Sequence, residues 1–290
     1  MAIGSAVDPP RYRPILKWAG GKSRLAARIA SRLPERIQTY YEPFVGGAAV
    51  FFSLASQDRF KRAVLGDLNR DLVDVYKGVK ADVDAVIRLL EDYRRRHSRE
   101  TYYDTRGIDP RTLELPARAA RLIYLNKTGY NGLYRVNRSG QFNVPFGRYD
   151  NPAICDEPRL RAAAEAFRRR GVSIKVVDFE KLSEGAERGD AVYFDPPYVP
   201  LSKTASFTGY HSASFGDLEH QRLASTFKQL TLRKVAAVLS NSGADATRLL
   251  YRGEGIQVEK VLVTRPINSK STARGSVTEL LVSNRRALEG

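Results

Sequence analysis

A short apolar run, Ala191-Val192-Tyr193-Phe194, breaks off at Asp195-Pro196-Pro197-Tyr198, and this ending constrains the fold more than any other segment of the chain. β-branched and aromatic residues in so short a run, bounded by prolines, read as a buried strand. Proline fixes its own φ and carries no amide hydrogen. The strand therefore cannot continue, and Asp195 with the carbonyls beside it is held in one geometry at the strand's carboxyl end. An Asp-Pro turn beside a core tyrosine is the plainer account of the same residues, and short motifs recur by accident.

The same grammar recurs along the 290 residues. Tyr40-Tyr41-Glu42-Pro43-Phe44-Val45-Gly46-Gly47 reads as a strand entering a glycine turn, with a helix over 48–56. Residues 62–67 read as a second strand ending in Asp67, followed by a helix over 69–79. Helical spacing also covers 22–33, stopping at Pro34, a charged face at 91–99, and an apolar stretch at 117–125. Residues 126–151 are rich in Gly, Asn, Tyr and Arg and show little period. Strand-like runs resume at 172–177, 191–194 and 235–240, and two more, 256–263 and 277–282, flank the basic loop 268–274. Alternating strands and helices predict an α/β fold with a mainly parallel sheet. The sheet domain is expected over 10–69 and 166–286, split by an insert at 70–165.

Charge narrows the partner. A formal net charge of +16, spread along the chain and not confined to a tail, gives salt-dependent attraction to phosphate backbones. A basic surface with no such role is the alternative. The single cysteine, Cys155, excludes an internal disulfide and a cysteine-cluster zinc site. His97, His211 and His220 have no metal-ligand spacing. No apolar stretch reaches membrane-spanning length, and residues 1–14 lack the apolar core of a secretory signal, so they are expected to be a frayed leader. A cytoplasmic protein without a structural metal is expected.

A carboxylate and a proline carbonyl side by side can accept both hydrogens of an amino group on an aromatic ring, with Tyr198 stacked on that ring. The glycine turn lets backbone approach a ligand near a helix N-terminus. Asp67 closes the next strand roughly twenty residues on, where an acid can bind ribose hydroxyls. Lys17-Trp18-Ala19-Gly20-Gly21-Lys22-Ser23 ends like a phosphate loop but has Leu16 where that pattern needs glycine. It reads better as a turn entering a helix, with Trp18 and Lys22 projecting toward a cofactor; a packing segment around a buried tryptophan is the alternative.

Together, residues 16–22, 42–47, Gly66-Asp67-Leu68-Asn69, 126–135 and 195–198 resemble, in order and over nearly the whole chain, the Dam family of DNA adenine methyltransferases. One departure is Ala48, where the family commonly has glycine. The resemblance implies a Rossmann-like methyltransferase sheet, mostly parallel with an antiparallel last strand, carrying an inserted, mainly helical target-recognition domain. It implies S-adenosyl-methionine as cofactor, held by Trp18, Ala19, Gly20, Lys22, Glu42, Phe44, Gly46, Gly47, Asp67, Asp178, Phe179 and Asp195. Asp195, Pro196, Pro197 and Tyr198 match its catalytic motif. The adenine amine is a poor nucleophile because its lone pair is delocalised. Hydrogen bonds from it to Asp195 and the Pro196 carbonyl favour a tetrahedral nitrogen as the methyl transfers. The base must leave the duplex to reach such a site.

The same resemblance implies site reading by Lys17, Tyr130, Asn131, Leu133, Arg135, Pro145 and Arg148, and points to GATC in double-stranded DNA. Arginine reads guanine bidentately and asparagine can serve adenine; phosphate contact and turn chemistry are the competing roles. Tyr210 and His211, on a segment read as a flap over the base, and Lys270 and Arg274, on the basic loop, are expected at DNA. Ser240-Asn241-Ser242 is expected to support the pocket. No metal and no membrane enter this scheme, and a monomer in the cytoplasm, associated with the nucleoid, is expected. Methyltransferases on RNA or on a protein amide usually carry Asn at the position of Asp195, and cytosine-amino enzymes more often Ser. A silent DNA-binding regulator is the non-enzymatic alternative.

Overall fold

The computed structural model describes residues 11–198, 215–264 and 276–284. These fall into two compact units. One is drawn from the segments up to Ala27, Gly46–Arg59 and Arg70–Arg170; the other from Arg28–Val45, Phe60–Asn69 and the chain from Gly171 onward.

The second unit holds a seven-stranded sheet: β1 (Ile37–Glu42), β2 (Phe60–Asp67), β3 (Val172–Val176), β4 (Ala191–Phe194), β5 (Ala236–Ser242), β6 (Gln257–Thr264) and β7 (Ser276–Ser283). Their order across the sheet is β3-β2-β1-β4-β5-β7-β6. β1 to β5 run parallel, and β7 lies antiparallel between β5 and β6. From β1 the chain steps outward to β2 and β3, then returns to place β4 on the other side of β1. That reversal is the switch point at which Rossmann-like sheets open a crevice beyond the strands' carboxyl ends. β4 and β5 are buried along their whole length, as central parallel strands are. Leu223 and Phe227 pack with Val192, Phe194 and Leu239, each burial contributing roughly 1.5–3 kcal/mol.

The first unit is helical. Its elements are α2 (Ala49–Ser56), α3 (Arg70–Ala81), α4 (Val83–Arg95), α5 (Arg99–Gly107), α6 (Leu115–Thr128) and α7 (Glu157–Arg168); α1 (Ala26–Ala30) precedes them in the chain. α6 is its axis, with residues Ala119 to Asn126 buried. Gly78 of α3 lets the two helices close up, since a Cβ there would stand 2.7 Å from Ala119 Cβ. The sheet unit adds α8 (Phe179–Ser183), α9 (Asp217–Leu232) and α10 (Asp245–Leu250). The expected insert at 70–165 lies within the helical unit, which also takes in the chain up to Ala27 and Gly46–Arg59.

Several elements differ from the sequence reading. The helix expected over 22–33 shrinks to Ala26–Ala30, because i→i+3 bonds from Leu25 to Lys22 and from Leu33 to Ala30 tighten both ends into turns. The strand expected to reach the glycines stops at Glu42, since Pro43 has no amide to extend the ladder. The charged face at 91–99 belongs to two helices. α4 ends at Arg95, and Ser98 caps α5 by accepting the Thr101 amide at 3.0 Å. Tyr193 is a fully buried strand residue, as the apolar run predicts. α7 and α9 were not anticipated. Among the described residues, no helix is long and apolar enough to cross a membrane.

Candidate active site

Parallel strands bring their carboxyl ends to one edge of the sheet unit. In spatial order the β3 exit leads to Asp178, β2 ends in Asp67, β1 in Glu42, and β4 is followed by Asp195. Asp195 is half-buried and Pro196 buried, while Pro197 is exposed. Ser240 Oγ of β5 donates to Asp195 Oδ1 at 2.8 Å. Ser240 has one hydrogen, so the 2.8 Å contact between its oxygen and Tyr193 Oη must be a donation from Tyr193. The result is a directed chain, Tyr193 to Ser240 to Asp195. Burial pushes the Tyr193 phenol well above its usual range, with Asp195 adding to the rise, so it stays a donor.

Tyr198 donates to Glu279 Oε2 at 2.7 Å. Glu279 is buried on β7, opposite Ser242 in register. Burial raises the Tyr198 phenol, and Asp195 and Glu279 raise it further. Glu42, also buried, accepts from Tyr40 Oη at 3.0 Å. Phe44 stacks on Phe179 at 5.5 Å and meets Phe194 and Phe215 edge-on. Asp178 caps α8 through the Glu180 amide at 3.0 Å and also accepts from Arg222 Nη2 at 3.1 Å. The Arg222 guanidinium lies 5.0 Å over the Phe179 ring. Asp67 Oδ1 accepts the Asn69 amide at 2.9 Å, which fixes that carboxylate.

The helical unit gathers the remaining candidates. Gly20 takes φ 75°, and Lys22 folds back so that Nζ donates to the Gly20 carbonyl at 2.6 Å. Lys22 is 5 % exposed, and its ammonium closes this turn. Gly46 accepts the Tyr76 hydroxyl, and a Cβ on Gly47 would stand 3.5 Å from Trp18 Cβ. The Trp18 ring packs on Tyr134 at 5.3 Å, and Ala19 beside it is exposed. Lys17 Nζ sits 4.8 Å over the Tyr149 ring.

Beyond α6, Gly129 bridges Phe146 and Val136 bridges Phe142, so residues 129–146 form a narrow hairpin-like projection. Tyr130 (47 %) and Leu133 (40 %) are large side chains exposed on it. Asn131 is exposed at φ 55°, and Pro145 and Arg148 are exposed as well. Arg135 is exposed but braced: Nε donates to Asn143 Oδ1 at 2.7 Å and Nη2 to the Asn143 carbonyl at 3.0 Å. Tyr210, His211, Lys270 and Arg274 lie outside the described residues.

Sequence reasoning named Ser240 only as support and did not single out Tyr193, Glu279, Arg222 or Asn143. A lone acid in the apolar run 277–282 was the available signal for Glu279. Arg222 and Asn143 carried none, since each acts on a residue distant in the chain or across a hairpin.

The arrangement offers acceptors and aromatic faces at a sheet edge, with an exposed amide, guanidinium and aromatic projection on the helical unit. Comparison with known proteins agrees. Residues 18–264 match the family described as D12 class N6 adenine-specific DNA methyltransferase. The chain is 40% identical over 276 residues to the Type II methyltransferase M1.LlaDCHI of Lactococcus lactis subsp. cremoris, covering 94% of this chain and 95% of the relative. It is 42% identical over 289 residues to the Type II methyltransferase M.MjaIII of Methanocaldococcus jannaschii, covering 94% and 99%. It is 35% identical over 273 residues to the DNA adenine methylase of Escherichia coli K12, covering 93% and 95%. The chain therefore belongs to the D12 class of N6 adenine-specific DNA methyltransferases, enzymes that place a methyl group on the exocyclic amine of adenine in DNA.

Proposed function

We propose that the enzyme takes its methyl group from S-adenosyl-methionine and delivers it to an adenine swung out of a GATC duplex. The observation that carries this reading is the Tyr193–Ser240–Asp195 chain at the carboxyl end of β4. It holds one carboxylate beside Pro196, at the switch point of the sheet.

The donor set of the sheet unit suits an adenosine. Phe44, half-buried and backed by the buried Phe179, offers a ring, Asp178 an acceptor for a ring amine, and Asp67 an acceptor for ribose hydroxyls. Glu42 and Asp195 complete the acidic edge. On the resemblance, Trp18, Ala19, Gly20, Lys22, Gly46 and Gly47 are assigned to the cofactor as well. The cofactor supplies an electrophilic methyl on a sulfonium. Asp195 and the Pro196 carbonyl accept the two hydrogens of the adenine amine, which localises its lone pair on nitrogen. Ser240 keeps the carboxylate from rotating. Tyr198, anchored through Glu279, presents its ring to the extruded base. The Asp195 carboxylate would also take up the surplus proton that the methylated nitrogen must shed.

The projection at 129–148, with Lys17, reads the site from the major groove. Residues 70–165 serve as the target-recognition domain and the sheet domain as the catalytic one. The enzyme acts as a monomer in the cytoplasm, where its substrate lies, and its Type II relatives make pairing with a restriction enzyme a fitting role. Incubation with labelled cofactor and unmethylated genomic DNA, followed by sequencing of modified bases, tests the scheme. Modified adenines in GATC support it, and Asp195→Ala should abolish transfer while duplex binding survives. Undiminished transfer by that variant, or modification scattered over unrelated sequences, overturns it.

A further inference from the structure

Asn126 stands in the last turn of α6, 2 % exposed, so it reads no base itself. Its Oδ1 accepts the Lys17 amide at 2.9 Å. Its Nδ2 gives one hydrogen to the Lys17 carbonyl and the other to the Gly132 carbonyl, both at 2.8 Å. Lys17 is 109 residues away in the chain and Gly132 only six. A planar amide is the side-chain group that offers one acceptor and two donors together, and here both donors and the acceptor are engaged.

Two elements assigned to DNA are thus joined by one side chain. We propose that Asn126 is the positioning residue for sequence discrimination: it locks the backbone of Lys17 to the turn Tyr130–Gly132, so that the lysine and the hairpin read the duplex as one rigid surface. The inference rests on the proposed reading role of Lys17 and residues 130–135. Packing around the same point agrees. Gly132 takes φ 63°, and a Cβ there would fall 2.5 Å from Lys17 Cδ, so the turn lies directly against the lysine stem. Trp18 packs on Tyr134, and Tyr134 Oη donates to Asp71 Oδ2 at 2.9 Å, which ties the next residue along to the same hairpin. Base contacts discriminate only while donor and acceptor stay in register, and each good bidentate pair distinguishes bases by roughly 5- to 150-fold. A joint that lets Lys17 and the hairpin move independently gives up that register.

Asn126→Asp tests the joint. It keeps the volume and the acceptor for the Lys17 amide but loses both donors. kcat/KM is measured on a duplex carrying the sequence that the wild-type enzyme methylates and on duplexes with one base pair changed. The ratio of the two should fall about fivefold or more. Partial unfolding alone would lower both rates by the same factor and leave the ratio unchanged. Gly132→Ala, which presses on Lys17 from the other side of the joint, should lower the ratio in the same direction and carries the test if Asn126→Asp does not fold. Ratios within about twofold of wild type in the folded variants overturn the inference. A wild-type enzyme with no sequence preference overturns the reading beneath it instead.

Discussion

Ser240 donates its only hydroxyl hydrogen to Asp195 Oδ1 at 2.8 Å, from the strand next to the one that carries the carboxylate. Ser240 is fully buried and receives the Tyr193 hydroxyl in turn, so the carboxylate's orientation is set from inside the sheet. Ser240→Ala should therefore act on chemistry. A hydrogen bond to a charged group contributes about 1.5–3 kcal/mol, which converts to a kcat loss of about tenfold to a hundredfold. Single-turnover methylation alongside duplex binding checks this; a fall in affinity with kcat intact would show that Ser240 does not act through Asp195.

Arg135 is exposed, yet Asn143 holds two of its donor groups, which aims the guanidinium before any DNA arrives. Arg135→Ala should relax discrimination at one base pair by about ten- to a hundredfold while affinity for unrelated duplexes changes little. Binding titrations over a salt series decide it. A uniform loss on every sequence, with a salt slope lower by about one, would make Arg135 a phosphate contact.

Burial lowers the Lys127 ammonium to about 8, with Arg159 and Lys17 adding repulsion. The ordinary unfolded value is about 10.4. Between these values the unfolded chain binds more protons than the native one, so stability rises with pH over that window. Below pH 8 the full penalty stands. Lys127→Met should raise stability at pH 7 by about 1–3 kcal/mol, and the advantage should shrink as pH climbs from 8 to 10. Thermal unfolding of both proteins across that range measures the gap; a constant gap would remove titration as its cause.

Ala48, the N-cap of α2, sits at φ 57° and ψ 27°, a left-handed conformation that costs an L-residue roughly 1–2 kcal/mol. The Dam family commonly has glycine here. Ala48→Gly relieves the strain but removes a fully buried methyl worth about 0.8 kcal/mol. The expected net is a gain of up to about 1 kcal/mol, against the loss usual when glycine replaces alanine. Denaturant unfolding checks the sign, and a clear loss would mean that the methyl's packing outweighs the strain.

The residue pattern alone determined which segments become strands. Ala191–Phe194 is a strand over the expected residues because four apolar side chains followed by two prolines allow little else. Asp67 and Asp195 could be read as strand-end acids because parallel strands share one carboxyl edge, whereas Asp178 came only from the family resemblance. The helices were less legible at their ends. The break between α4 and α5 depends on one serine side chain finding an amide, and no periodicity records that.

Tertiary structure decided what stands next to what. Ser240 meets Asp195 across 45 residues, Glu279 meets Tyr198 across 81, and Asn126 meets Lys17 across 109. Such contacts follow from the order in which strands lie side by side and from the faces on which helices close. Periodicity reports the burial of a segment but carries no information about which distant segment buries it.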